Sequence, residues 1–205
     1  MRDAHERGMT RHMATGEARV IGQAVEMPAV HSGGYEVPVE LVLNRVEEQG
    51  QVAFVAVLRD LSARRARETQ QQAEVAYERR LAAAALELVA ESDVDVVAFK
   101  RKATEVVAEL VGAERVCLWR ARGEVLVCVE ASTAARAFVG SLRAPQEPPD
   151  AGPHSLDLPL QSLQGVLGAL SVSRAQGRPW TYAELRFCEQ IASLLVQAID
   201  KAIRT

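Results

Sequence analysis

The 205 residues predict an α+β fold, with antiparallel sheets, flanking helices and one long helix joining two parts. Three observations predict it. Pairs of β-branched runs are separated by glycine-containing turns. Residues 62–90 contain neither proline nor glycine and begin on a serine suited to capping a helix. The chain closes on a segment whose apolar residues recur at helical spacing. The composition is 48% hydrophobic and 25% charged with a net charge of −3, which excludes a polybasic nucleic-acid binder, an acidic tail and a collagen-like or disulfide-dense chain. No apolar run approaches the roughly 18 residues of a membrane span. The start, Met1-Arg2-Asp3-Ala4-His5-Glu6-Arg7, is too polar for a signal peptide. Three cysteines without a CxxC pair fit a reducing compartment and no metal site. The expectation is a cytoplasmic chain, and its excess of arginine over lysine, 21 to 3, is the usage of a GC-rich bacterial genome.

In chain order, residues 2–14 read as a short helix ended by Thr15-Gly16. Residues 19–30 and 35–46 read as strands around the turn Ser32-Gly33-Gly34. After a polar turn ending at Gly50, residues 52–59 form a nearly continuous apolar run, read as a strand buried on both faces. In the long helix, Tyr77, Leu81, Ala84 and Leu88 make one apolar seam, suited to pairing with a second copy; the alternative is a solvated linker helix. Asp93 or Asp95 caps a helix closed by Gly112. Residues 114–121 and 124–131 are strands, 132–153 a polar connection, and 156–161 and 165–173 another strand pair. Thr181-Tyr182-Ala183-Glu184 is a capping box opening the last helix, where Leu195 and Ile199 belong to an apolar seam offered to a dimer.

The cysteines define one candidate site. If Arg122-Gly123 is a two-residue turn, cross-strand partners have numbers summing to 245, so Cys117 faces Cys128 and Trp119 faces Leu126. Facing thiols suit a redox pair, while two small buried apolar residues are the plainer reading. His5, His12, His31 and His154 lack metal-ligand spacing. Neither glycine pair sits at a phosphate-binding strand-to-helix turn, and no nucleophile elbow is present. Catalysis by this chain is not expected, and neither is nucleic-acid binding.

The phrases His5-Glu6-Arg7-Gly8-Met9, Ala14-Thr15-Gly16-Glu17, Gly33-Gly34-Tyr35-Glu36-Val37-Pro38 and Asp60-Leu61-Ser62 resemble, in order, the C-terminal part of a PAS sensor domain. The resemblance implies that the opening strands of such a domain would precede Met1. It also implies that Asp60 and Ser62 transmit a signal from the last strand into the helix, with Ser62 as the cap. The haem PAS kinases, which this stretch also resembles, carry a ligating histidine where His5 stands. Their arginine is replaced by Val25, so no cofactor is expected, haem on His5 being the one alternative.

The later half, through Glu109-Leu110-Val111-Gly112, Val116-Cys117-Leu118-Trp119, Leu158-Pro159-Leu160, Gly165-Val166-Leu167-Gly168 and Trp180-Thr181, resembles a GAF domain. That resemblance implies a central antiparallel sheet with terminal helices on one face and a small-molecule pocket on the other. The short, proline-containing connection leaves little to build the pocket, so a reduced or absent pocket is expected; if one exists, Trp119 and Leu126 wall it. The domains are then residues 1–61 (partial PAS), 62–90 (connector helix) and 91–205 (GAF). The expected function is a dimeric sensor module that passes a conformational change through coiled-coil helices to an output kinase or regulator of a two-component system. The alternatives are a ligand-binding GAF receptor and a piece of a sensor histidine kinase without its catalytic part.

Overall fold

The computed structural model describes residues 21–48, 50–91, 95–145, 154–174 and 178–204. The helix expected over 2–14, with His5 and the start of the first strand, lies outside them. Two compact units emerge, one up to Glu74 and the other from Val75.

The first unit is a three-stranded antiparallel sheet of β1 (Ala24–Val30), β2 (Glu36–Glu48) and β3 (Gln51–Asp60), in that order. The β1–β2 turn falls on the expected glycines: Gly34 has φ +86°, its N–H donates to the His31 carbonyl, and the His31 and Tyr35 rings stack at 4.6 Å. The expectation that residues 52–59 are buried on both faces is overturned. Every residue of β3 is exposed, Phe54 at 42% and Leu58 at 61%. The reason is topological. Among the described residues β3 pairs only with β2, and no described element buries either of its faces. A continuous apolar run states what a strand prefers to bury; it does not supply the layer that buries it.

Helix α1 (Ser62–Glu91) starts at the end of β3. Its first backbone bond runs from the Arg65 N–H to the Leu61 carbonyl, and the Ser62 N–H donates to Asp60 Oδ1 at 2.7 Å. The capping acceptor is therefore Asp60 rather than Ser62. The Ser62 hydroxyl and N–H hold the Asp60 carboxyl below its ordinary range.

The second unit holds the later part of α1, α2 (Val96–Val111) and a five-stranded antiparallel sheet. The strands are β4 (Arg115–Arg122), β5 (Val125–Ala131), β6 (Leu142–Arg143), β7 (Ser155–Ser162) and β8 (Gly165–Ser173), in the order β6-β5-β4-β8-β7. Helix α3 (Tyr182–Arg204) closes the unit. Asp95 is the residue that caps α2, accepting from the Val97 and Ala98 N–H groups, and Gly112 at φ +63° ends the helix in the left-handed region. Asp93 lies outside the described residues. The connection read as polar carries a 3₁₀ turn, Thr133–Phe138, and the short strand β6. It is tied down at its start, where the buried Ser132 exchanges backbone and side-chain hydrogen bonds with Val116.

The core explains the layering. One sheet face, with Val116, Leu118, Leu170 and Val172, packs against Leu81 and Leu88 of α1, Phe99 and Val107 of α2, and Ile191 and Leu195 of α3. Gly168 is required where β4 crosses β8. A Cβ there would stand 1.8 Å from the Trp119 carbonyl oxygen.

Candidate functional site

Alternation along β4 sends Cys117 and Trp119 to the sheet face opposite the helices. There they meet Leu126 and Cys128 of β5, Ala169 of β8 and, from the 3₁₀ segment, Ala135 and Phe138. Arg143 of β6 reaches across this face. Its Nη2 donates to both Asp157 carboxylate oxygens at 2.8 and 3.0 Å and to Ser171 Oγ at 3.2 Å, and its guanidinium lies 4.8 Å from the centre of the Trp119 ring. The Ser171 hydroxyl donates to Asp157 Oδ1. Asp157 and Ser171 are register partners on β7 and β8, which brings the acceptor and the hydroxyl together. The result is a polar strap over an apolar patch, with the Arg143 side chain only 6% exposed. Trp119 Nε1 is buried beneath it without a partner, a cost of roughly 1–3 kcal/mol that the packing offsets.

Trp119 and Leu126, the residues expected to wall a pocket if one exists, are 3% and 4% exposed and pack in this apolar patch, and Trp119 also borders a cleft on the unit. The sequence held little sign of the strap. Arg143 sits in the proline-containing connection, 14 residues from Asp157, and only folding brings the two together.

The cysteine arithmetic also needs correction. The β4–β5 turn is Gly123-Glu124, with Gly123 at φ +60°, and Arg122 pairs with Val125. Trp119 therefore faces Cys128. A bulge between Leu118 and Trp119 then sets Cys117 opposite Ala131. Cys117 and Cys128 share one face as diagonal neighbours. Hydrogen bonding with Cys117, and then burial, push the Cys128 thiol up, and Cys128 Sγ donates to the Glu130 carbonyl at 3.5 Å. A thiol held protonated is a poor nucleophile.

At the far end of the helical layer, Glu184 is fully buried. The capping box is formed reciprocally: the Thr181 N–H donates to Glu184 Oε2 at 2.9 Å, and the Glu184 N–H to Thr181 Oγ1 at 3.3 Å. The same carboxylate accepts from Arg174 at 2.7 Å and from Arg178 at 2.8 Å. The Tyr77 hydroxyl is 3.0 Å from it and 2.9 Å from the Leu110 carbonyl oxygen. Burial raises the Glu184 pKa, but the Thr181 N–H, Arg174, Arg178 and Tyr77 outweigh it and hold the carboxyl at about 2. Burial, followed by Glu184, lifts Tyr77 to about 12. Arg174 also donates to the Val111 carbonyl at the end of α2 and stacks 3.8 Å over the Trp180 ring. The hub fastens α1, α2, β8 and α3 to one another.

The expected dimer seam is therefore largely consumed within the chain. Leu81, Leu88 and Leu195 are in the core, Tyr77 serves the Glu184 hub, and Ile199 packs against the core. Hollows are present in this unit. An open groove of about 680 Å³ runs between α1 and α3 past Ala82, Tyr182 and Arg186, and a cleft of about 330 Å³ lies near the end of α3. Among the described residues, no three His, Cys, Asp or Glu side chains group to hold a metal ion, and no helix is long and apolar enough to cross a membrane.

No protein-family model matches the chain. An uncharacterised protein of Azorhizobium caulinodans is 39% identical over 62 residues, which are 30% of this chain and 8% of that protein. The GAF domain of a phosphoenolpyruvate-protein phosphotransferase from Coxiella burnetii is similar in structure, with a TM-score of 0.53 at 12% identity over 62% of this chain and 96% of that domain. The corresponding GAF domain from Acinetobacter gives 0.50 at 13% identity, over 64% and 95%. At such identities the likeness is one of fold. The chain contains a GAF fold, and the matched share exceeds the whole first unit, so the five-stranded sheet and its helices supply it.

Proposed function

We propose that the chain is a PAS–GAF signalling module that acts as a homodimer and passes conformational change along its helices to an output kinase or regulator of a two-component system. One observation carries the dimer. On α1, Val75, Arg79, Ala82, Leu86 and Val89 follow a 4-3-4-3 spacing and are all exposed, Val75 at 47%, Leu86 at 68% and Val89 at 44%. That is the spacing of a two-stranded coiled-coil seam. It runs beside the buried row of Leu81, Ala85 and Leu88, so α1 packs on its own sheet with one side and keeps another for a partner helix. The PAS reading is supported by the antiparallel β1–β3 sheet and by the junction at Asp60-Leu61-Ser62, where a shift of β3 would move the Asp60 cap and with it the start of α1. The filled Trp119 face favours an interaction module over a receptor that holds its ligand on that face. No chemical step is assigned to the chain.

Light scattering tests the reading. The wild-type chain is expected to be a dimer at micromolar concentration, and Leu86→Glu to convert it to a folded monomer with unchanged circular dichroism. A wild-type monomer at high concentration would overturn it, as would a Leu86→Glu dimer of undiminished affinity.

A further inference from the structure

The 330 Å³ cleft lies on the helical side of the second unit's sheet, where Leu118 and Arg120 of β4, Val166 at the start of β8, and Ile199 and Ile203 of α3 line it together with Lys100 of α2. Trp119 and Ala121 also border it, although their side chains pack in the cluster on the opposite sheet face, whereas Val129, Leu167 and Ile199 pack against the helical core. The cleft's size is within the range of small-molecule sites, about 300–1,000 Å³. Apart from Trp119 the other lining residues are aliphatic, so the two cations stand out. Among the described residues neither Lys100 nor Arg120 forms an ion pair; Glu130, the nearby acid, is bracketed by Arg101 at 3.9 Å and Arg136 at 3.6 Å. Burial, then the charge of Arg120, hold the Lys100 ammonium below its ordinary value, and Glu130 counters them only in part.

Two like charges beside a partly dry apolar hollow repel one another, and a single bound anion relieves both the repulsion and the lost hydration. We infer that this cleft binds a small amphipathic carboxylate, with its apolar body against Ile199, Ile203 and Val166 and its carboxylate between Lys100 and Arg120. An apolar body alone would bury area without answering the cations. A bare anion would leave the aliphatic wall in water.

Decanoate, decanol and decyltrimethylammonium, titrated separately into the full ¹⁵N-labelled chain, test it. Decanoate is expected to shift the amide resonances of Lys100, Arg120 and Ile199 saturably. Decanol, with the same chain and no charge, should bind about tenfold more weakly or worse, and the cation not at all. The double variant Lys100→Gln, Arg120→Gln should lose about tenfold in decanoate affinity and little in decanol affinity. Ile203→Trp, at a position 56% exposed and therefore compatible with folding, should weaken both by filling the mouth. Equal affinity for decanoate and decanol would overturn the inference, as would the absence of saturable shifts. Decanoate shifts confined to the Trp119 indole N–H would move the ligand to the opposite face and overturn it too.

Discussion

Glu184 concentrates more of this molecule's electrostatics than any other described carboxylate. Its charge is stabilised by four different partners, and its pKa of about 2 lies below the ordinary glutamate value of 4.5. The consequence for stability has a definite sign. A depressed folded-state pKa contributes stability that is fully present above the unfolded value, and is lost as pH falls from about 4.5 towards 2. The contribution at neutral pH is roughly 3 kcal/mol. Glu184→Gln is expected to lower Tm at pH 7, with the gap from wild type closing as both are melted at successively lower pH. A gap that stays constant down to pH 2 would show that the carboxylate's charge is not the cause. The capping-box half of this residue was legible as Thr181-x-x-Glu184. The other half was not, because Arg174, Arg178 and Tyr77 carry no spacing that marks them as partners; two of them come from loops and the third from a helix 107 residues away. The cysteines teach the converse. Their shared sheet face was legible from alternation, yet one displaced turn and one bulge removed the cross-strand pairing.

Among the elements, α1 shows how a helix with one legible seam can have two. Tyr77, Leu81 and Leu88 stand out because, with Ala84, they make a seam free of charged residues. A row containing an arginine and an alanine, from Val75 to Val89, is inconspicuous until the first row is seen to be buried. The start of the helix depends on Asp60, whose side chain supplies the acceptor for the Ser62 N–H. Asp60→Ala is expected to speed amide exchange at residues 62–65 while leaving residues 81–88 as protected as in wild type. Equal exchange at 62–65 in the two proteins would remove Asp60 from the capping role. β3 marks the limit of reading a strand from hydrophobicity. Val52, Val55, Val57 and Leu58 announce a strand, and its pairing with β2 follows, but burial is a property of what lies above and below it.

Across the whole molecule, the two units differ in how much they bury. The second has a continuous core between helices and sheet, whereas in the first only Val39 and Leu61 are buried apolar residues among those described. Three strands on which no described element forms a packed layer are marginal. Hydrogen exchange is therefore expected to separate the units, with amides of β1–β3 exchanging long before those of β4, β8 and α3. Uniform protection across both sheets would contradict this. The α+β class, the hairpins, the long helix and the capping box were all determined by the sequence itself, because each follows from local propensity, turn chemistry or a short hydrophobic period. The tertiary structure alone decided which seam of α1 faces inward, which carboxylate became the hub, where Arg143 reaches, and that Lys100 and Arg120 share one cleft. These are contacts between residues far apart in the chain, and no local periodicity encodes the partner that a side chain meets after the layers close.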